Sequence, residues 1–138
     1  MKCEDLMIGD WVQIKDAKYP NPAQVGGVVK KCGTFYVHFP WWDLYVSEKE
    51  LEPIPLSLEM LEKNGFEGSP TGDLFIERSL WETCALEVLP SEGSWLVRMI
   101  DKTNKNICGC NRINLYIKYV HQLQHILKVF GINKEIKL

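Results

Sequence analysis

Short stretches of alternating side chains fill the first 55 residues and restrict the folds open to this chain. The segment TFYVHF (34–39) places Phe35, Val37 and Phe39 on one side of the backbone, which is the two-residue period of a β-strand. Three further segments of this kind are 9–15, 23–31 and 43–46. Prolines and glycines separate them, so the pattern predicts short antiparallel strands joined by tight turns.

A single helical turn is predicted at SEKE (47–50), where Ser47 and Glu50 have the spacing of a capping box. The segment LEPIPL (51–56) follows as a last short strand. Short strands with one helical turn before the last of them are typical of a small SH3-like β-barrel, which we predict for residues 1–55. Its expected core residues are Leu6, Ile8, Val12, Ile14, Val28, Phe35, Val37, Leu44, Val46, Leu51 and Ile54.

The second half of the chain, 56–138, is predicted to form a helix–antiparallel sheet–helix unit. Its first helix spans 58–66, with Ser57 as the N-cap and Asn64-Gly65 as the stop signal. Its last helix is the longest, at about 114–130. The strands predicted between the helices are 73–78, 84–90 and 94–101, with a short fourth at 107–110. The predicted fold class is therefore α+β, with the SH3-like barrel packed on this α-β-β-β-α unit.

Composition bounds the broad class of the protein. Hydrophobic residues make up 46% and charged residues 25% of the 138 residues, which is normal for folded domains. No apolar run approaches the roughly 20 residues of a membrane-spanning helix, and the opening MKCEDLMIGDW lacks the apolar centre of a signal peptide. The five cysteines do not have the spacing of a secreted disulfide scaffold. We therefore expect a cytoplasmic protein with reduced thiols and no membrane association.

Charge is unevenly distributed along the chain, although the net charge is only −2. Residues 56–97 carry two basic and eight acidic side chains, whereas residues 98–138 carry eight basic and two acidic ones. Either these segments lie beside each other and neutralise each other, or the basic stretch meets phosphate or an acidic partner. The second interpretation makes nucleic-acid binding an alternative function, through Arg98, Lys102, Lys105, Arg112, Lys118 and Lys128.

Three stretches carry a resemblance to a known family: EDLMIGDWV near the start, LEPIPLSLEMLEKNGFE in the middle and IKYVHQLQHILKVFGINKEIKL at the end. Together they resemble a family of small uncharacterised proteins of gut Bacteroidetes and of their phages and mobile elements. The resemblance spans nearly the whole chain and implies a bacterial, phage-related, cytoplasmic protein. It carries over no catalytic or binding residue, so function has to be argued from the side chains.

Two histidines four residues apart, His121 and His125, lie in the predicted last helix. This spacing can chelate Zn²⁺, but a site needs further ligands. In the zinc-protease pattern H-E-x-x-H a glutamate follows the first histidine, and here that position is Gln122. One residue separates Cys108 from Cys110, whereas two to four residues usually separate the cysteines of a zinc site. We expect no metal site, and we expect both histidines and their neighbouring glutamines to face away from the apolar side of the helix, where they lie in water, on the barrel or against a partner.

The segment HFPWWDLY (38–45) concentrates aromatic residues around one barrel loop. One interpretation places one tryptophan in the barrel core and the other against the second domain. The other interpretation makes this loop a groove for a Pro-rich peptide, a methylated side chain or a nucleotide base. The candidate binding residues are Tyr36, Trp41, Trp42, Asp43 and Tyr45.

Catalytic motifs are missing from the sequence. It contains no P-loop, no G-x-G-x-x-G and no G-x-S-x-G nucleophile elbow. No cofactor is implied. We therefore predict a non-enzymatic binding or adaptor protein that contacts a peptide or protein partner through the aromatic loop.

Overall fold

A computed structural model describes residues 1–16, 18–68, 75–78, 84–101 and 114–138. The chain divides into two compact units, each built from two stretches of sequence. The first unit is Met1–Pro55 with Tyr119–His125, and the second is Leu56–Lys118 with Ile126–Leu138. In the part of the chain that the structure describes, no helix is long and apolar enough to span a bilayer.

The first unit contains six short strands in two antiparallel sheets. They are β1 (Trp11–Ile14), β2 (Ala23–Gln24), β3 (Gly27–Lys31), β4 (Thr34–Phe39), β5 (Leu44–Ser47) and β6 (Leu51–Pro53). One sheet has the order β2-β1-β6 and the other the order β3-β4-β5. Within the described residues the two sheets are separate and do not close into one hydrogen-bonded barrel.

The strand predicted at 23–31 is divided into β2 and β3 at Gly26. A Cβ atom at this position would lie 2.3 Å from Cδ of Pro40. Only a residue without a side chain therefore fits beside the proline ring. The backbone N–H of Gly26 donates to the carbonyl oxygen of His38 at 2.8 Å. This contact places the start of β3 against the turn that follows β4.

The predicted helical turn before the last strand is confirmed as a 3₁₀ turn, Glu48–Glu50. Its cap differs from the predicted capping box, because the hydroxyl of Ser47 accepts from the backbone N–H of Lys49 at 3.5 Å. A single 3₁₀ turn brings the N–H two residues beyond the cap within reach of this hydroxyl.

The core of the first unit follows the alternation of the strands. Its members are Cys3, Leu6, Val12, Ile14, Ala23, Val25, Val37, Phe39, Val46 and Leu51. The prediction for Ile8 is wrong, because this side chain is 70% exposed. Ile8 lies at the tip of a turn closed by the N–H of Asp10 and the carbonyl of Met7, and the turn directs Asp10 inward in its place, with no exposed surface. Val28, Phe35 and Leu44 are only partly buried.

The second unit opens with helix α1 (Leu58–Lys63), for which the Ser57 hydroxyl accepts from the backbone N–H of Met60 at 3.3 Å. The predicted stop is confirmed, because Gly65 has a φ of 76° and the N–H of Phe66 returns to the carbonyl of Leu61. Five antiparallel strands follow, namely β7 (Glu67–Gly68), β8 (Phe75–Arg78), β9 (Cys84–Ser91), β10 (Ser94–Asp101) and β11 (Leu115–Ile117). Their order in the sheet is β11-β10-β9-β8-β7.

Helix α2 (Val120–Val129) is shorter than predicted and runs from the first unit into the second. The predicted start at 114 is wrong because Leu115–Ile117 form β11, which pairs with β10 over three residues. The side chains in this stretch have helical periodicity, but its backbone instead forms hydrogen bonds with β10 at the edge of the sheet. The predicted short strand at 107–110 lies outside the described residues.

Candidate binding surface and buried polar cluster

The turn between β4 and β5 exposes both adjacent tryptophans. It is a 3₁₀ turn, Pro40–Trp42, which Asp43 closes in the left-handed conformation with a φ of 46°. Phe39, immediately before it, is fully buried, whereas Trp41 is 79% exposed and Trp42 is 40% exposed. The interpretation that placed a tryptophan in the core is therefore wrong. The inward position belongs to Phe39, and the turn carries the next two rings away from the core.

The outer face of the β3-β4-β5 sheet carries a second group of aromatic side chains. Strand register sets Val29 opposite Tyr36 and His38 opposite Tyr45. The rings of His38 and Tyr45 stack with centroids 4.6 Å apart and planes 22° apart. Because the other face of this sheet packs into the core, these side chains point outward, and Tyr45 is 56% exposed.

A groove of about 670 Å³ runs over this outer face, and we call it the tyrosine groove. The residues that line it are Val29, Lys30, Lys31, Cys32, Tyr36 and Tyr45. The ammonium group of Lys30 lies 4.9 Å from the ring centroid of Phe35, and Cys32 is exposed at the turn between β3 and β4. Phe35 is the cross-strand neighbour of Lys30 and lies on the core side of the sheet, so the groove combines two aromatic rings with one cationic side chain on their face, Lys31.

Three of the five candidate binding residues line grooves, and they line two different ones. Tyr36 and Tyr45 line the tyrosine groove, whereas Trp41 lines a separate groove of about 470 Å³ with Ile8 and Pro40, among others. The ring of Trp42 contacts the ring of Phe39 in a tilted arrangement, with centroids 6.4 Å apart. The carboxylate of Asp43 lies 3.3 Å from Nε2 of His38, and its side chain is almost fully exposed.

Sequence reasoning missed Val29, Lys30, Lys31 and His38 as groove or sheet-face residues. The signal was available, because residues two apart in a strand share a face. Val29 and Lys31 therefore lie opposite the inward Val28, and His38 lies opposite the inward Val37 and Phe39. What the sequence could not supply was the register that pairs β3 with β4 and β4 with β5.

A buried polar cluster joins the first turns of α2 to the strand segment around Asp10. Oδ2 of Asp10 lies 2.7 Å from Nε2 of His125 and accepts from the backbone N–H of Met7, also at 2.7 Å. The amide of Gln124 accepts from the N–H of Trp11 at 3.1 Å and donates to the carbonyl of Gly9 at 3.0 Å. Of the three environments left open for this helix face, water is wrong for His121 and Gln124, which are buried against the N-terminal part of the first unit. Hydrogen bonds to backbone groups and between side chains offset the burial of Asp10 and Gln124.

His121 is the most enclosed of the histidines, at 5% exposure. Its ring stacks on Tyr119 with centroids 5.8 Å apart and meets the ring of His125 edge-on at 5.9 Å. Burial lowers the pKa of His121 below its usual value because removal from water disfavours the charged imidazolium. His121 Nδ1 and Asp10 Oδ1 are both buried and have no hydrogen-bond partner.

The paired histidines do not form a metal centre in the part of the chain that the structure describes. No group of three or more His, Cys, Asp or Glu side chains there is arranged to hold a metal ion. Asp10 instead uses one carboxylate oxygen for His125 and for a backbone N–H. Cys108 and Cys110 lie outside the described residues.

The basic residues considered for nucleic acid belong to the second unit. Arg98 is engaged with Glu87, which is buried beside it on the neighbouring strand. Lys118 and Lys128 are exposed, whereas Lys102, Lys105 and Arg112 lie outside the described residues. The described members of this set therefore supply two exposed cations and one that is neutralised.

Comparisons with protein-family models, with curated proteins and with solved structures gave no match. The chemistry of the tyrosine groove and of the buried polar cluster is the remaining guide to function.

Proposed function

We propose that this protein is a non-enzymatic binding module that holds an acidic segment of a protein partner in the tyrosine groove. The observation that carries the proposal is the exposed aromatic outer face of the β3-β4-β5 sheet. Tyr45 and Val29 are exposed, whereas the opposite face of the same sheet packs against the core through Val37, Phe39 and Val46. Aromatic side chains that gain contacts on association are the usual anchors of an interface.

The charge of the groove supports an acidic peptide. Lys31 supplies the cation on this face, because the ammonium of Lys30 lies over Phe35 on the other face of the sheet. The remaining side chains that line the groove are apolar, aromatic or a thiol. An extended segment with a carboxylate beside an apolar anchor would pair its charge with Lys31 and its anchor with the tyrosines.

The strand order supports an SH3-like barrel as the scaffold of this proposed module. The first and last strands pair in one sheet, the middle strands form the other, and a 3₁₀ turn precedes the last strand. The segment 23–31 contributes one strand to each sheet, as a single bent strand of such a barrel would. Small barrels of this kind commonly use a surface groove to hold extended peptides.

Nucleic acid is the weaker alternative for this surface. The first unit contains six lysines, no arginine and eight acidic residues, so it would repel a phosphate backbone outside the groove itself. Stacking on Tyr36 and Tyr45 could hold bases, but Lys31 would be the main phosphate contact. Nucleic-acid binding depends on many such contacts.

A selection of peptides from a random display library tests the proposal. We expect enriched sequences that place Asp or Glu within a few residues of an aromatic or aliphatic side chain. Tyr45→Ser should weaken the selected peptide at least about tenfold, the loss expected for a central aromatic anchor. Tyr116→Ser is the matched control, because this tyrosine is equally exposed but lies in the second unit.

Three outcomes would count against the proposal. Selected peptides that bind Tyr45→Ser as well as the unaltered protein would place the contact elsewhere. Enrichment of basic sequences would contradict the charge argument. Tighter binding of a single-stranded oligonucleotide, with the steep salt dependence of phosphate contacts, would indicate that the groove binds nucleic acid instead.

A covalent probe offers an independent check. Cys32 lines the tyrosine groove and is exposed, whereas Cys3 is buried and its thiol pKa is raised to about 11 by burial and by the nearby Glu48 carboxylate. A maleimide at pH 7 should therefore label Cys32 in preference to Cys3. Labelled protein should lose the selected peptide, and peptide mapping by mass spectrometry should identify Cys32 as the modified site.

A further inference from the structure

The first half of helix α2 is fastened to the rest of the first unit by a small number of polar contacts. The N–H of Val120 donates to the carbonyl of Ile54 at 3.0 Å. Gln124 bridges the N–H of Trp11 and the carbonyl of Gly9, and His125 binds the carboxylate of Asp10. We call this segment, 119–125, the helix latch.

His121 sits within the helix latch and makes no hydrogen bond through its buried Nδ1. It lines an open cleft of about 440 Å³ with Glu4, Asp5, His125 and two other residues. Its enclosure is incompatible with charge, because a buried imidazolium needs a hydrogen-bond acceptor at each ring nitrogen. In the closed arrangement, in which residues 119–125 are bound to the rest of the first unit, Nδ1 of His121 has no hydrogen-bond acceptor.

Charged groups on three neighbouring elements act on His121. Burial has the largest influence on its pKa and lowers it. The carboxylates of Asp10 and Asp5 oppose that effect, while His125 and the N-terminal ammonium reinforce it. The net direction is downward, so the two carboxylates do not compensate for the loss of water. Glu4 lies at the cleft as well, and its exposed carboxylate is screened by solvent.

We propose that the helix latch responds to pH, and that acidification releases residues 119–125 from the rest of the first unit because His121, whose Nδ1 is buried without an acceptor, takes up a proton more readily when the latch is open. The released imidazole titrates near 6.5, the ordinary value for histidine. Below that pH the open latch gains a proton that the closed latch does not hold. Stability of the closed latch is therefore complete above about pH 6.5 and declines as the pH falls.

The size of the response follows from the same linkage. Each pH unit below about 6.5 increases the ratio of open to closed latch by up to about tenfold, until the pH reaches the lowered pKa of the closed state. Release would also remove the imidazole of His125 from the buried Asp10, so that the carboxylate gains access to water. Acidic conditions would thus expose a polar surface that is closed at neutral pH.

Amide hydrogen exchange across pH 7.5 to 5.5 tests this proposal. After correction for intrinsic exchange rates, amides of residues 119–125 should lose about fivefold to tenfold protection, while amides of β4 keep theirs. The His121→Phe variant should remove the pH dependence, because phenylalanine preserves the stacking on Tyr119 and cannot titrate. His38→Phe is the matched control, since His38 lies on the exposed outer face and should leave the dependence intact.

Unchanged protection of 119–125 in the unaltered protein, or persistent pH dependence in His121→Phe, would overturn the proposal. If His121→Phe does not fold, ¹⁵N spectra of the histidine rings in the unaltered protein decide between the outcomes. Protonation of His121 that accompanies loss of amide protection supports the latch. Protonation while the amides of 119–125 stay protected would contradict it.

Discussion

The aromatic turn after β4 and the first half of α2 reverse the usual relation between polarity and burial. Trp41 and Tyr45, which are large and aromatic, face solvent, whereas Asp10, His121 and Gln124 are buried. The difference lies in hydrogen bonding and strand geometry. Polar groups tolerate burial where backbone and side-chain partners meet them, and inward positions of a strand are taken by whichever residue has the correct parity. The burial of a side chain therefore does not by itself show whether that side chain stabilises the fold or binds a partner.

The comparison assigns different roles to the two regions. The polar cluster fastens one segment to another and should affect stability when it is changed. The aromatic surface contributes little to the core and should affect binding. Each of the following substitutions tests one side of that division, in order of decreasing expected effect on the free energy of unfolding.

Asp10→Ala should have the largest effect, a loss of about 3 kcal/mol, because it removes the buried acceptor of both His125 and the Met7 N–H. Chemical denaturation at pH 7.5 measures it. Asp43→Ala is the matched control, since Asp43 also lies against a histidine, His38, but is exposed. Equal losses for the two variants would show that burial of the carboxylate is unimportant.

Gln124→Ala should cost about 2 kcal/mol, because the Trp11 N–H loses an acceptor and the Gly9 carbonyl loses a donor at a site closed to water. Gln124→Glu retains the acceptor but sets a carboxylate oxygen against the Gly9 carbonyl and buries a charge, so its midpoint at pH 7.5 should lie no higher than that of the alanine variant. If Gln124→Ala leaves the thermal or urea midpoint of unfolding unchanged, the buried polar cluster does not stabilise the helix latch.

Gly26→Ala should destabilise the first unit by about 1–2 kcal/mol, because the new methyl group would meet the rigid ring of Pro40. Gly27→Ala is the neighbouring control, and there the nearest atom to a new Cβ is 4.0 Å away. Since Pro40 begins the aromatic turn, the alanine variant should also change the fluorescence of Trp41 and Trp42. Identical midpoints for the two variants would argue against this close approach.

Replacing both Trp41 and Trp42 by alanine should have the smallest effect on folding, below about 1 kcal/mol, because neither ring is buried. The unfolding midpoint and the far-UV circular dichroism spectrum provide the measurement. A double variant that fails to fold would identify these rings as part of the core and would remove the distinction between the two regions.

Local sequence pattern predicted much of this fold. The alternation in TFYVHF predicted β4, the serine at 47 preceded the expected helical turn, and Asn64-Gly65 ended α1 as expected. The errors share a physical origin in contacts between distant residues. Leu115–Ile117 have helical periodicity but pair with β10, and the buried partners of Gln124 lie 113 and 115 residues earlier in the chain.

The candidate site was predictable only in part for the same reason. An aromatic cluster around Trp41 is visible in the sequence, but its division into two grooves depends on strand register and on the turn at Pro40. Lys31 gains significance only once Tyr36 and Tyr45 are known to line the same groove. Asp10 carries no local signal at all, since a single carboxylate before a strand usually lies in solvent.

Chemical-shift mapping of a selected acidic peptide on ¹⁵N-labelled protein tests the central claim most directly. We predict that the perturbed amides concentrate in β3, β4 and β5, with the largest shifts around Val29, Tyr36 and Tyr45, and that the amides of 119–125 are unaffected at pH 7.5. Shifts centred on the helix latch or on the second unit would contradict the account, because the exposed aromatic face would then not be the surface that binds.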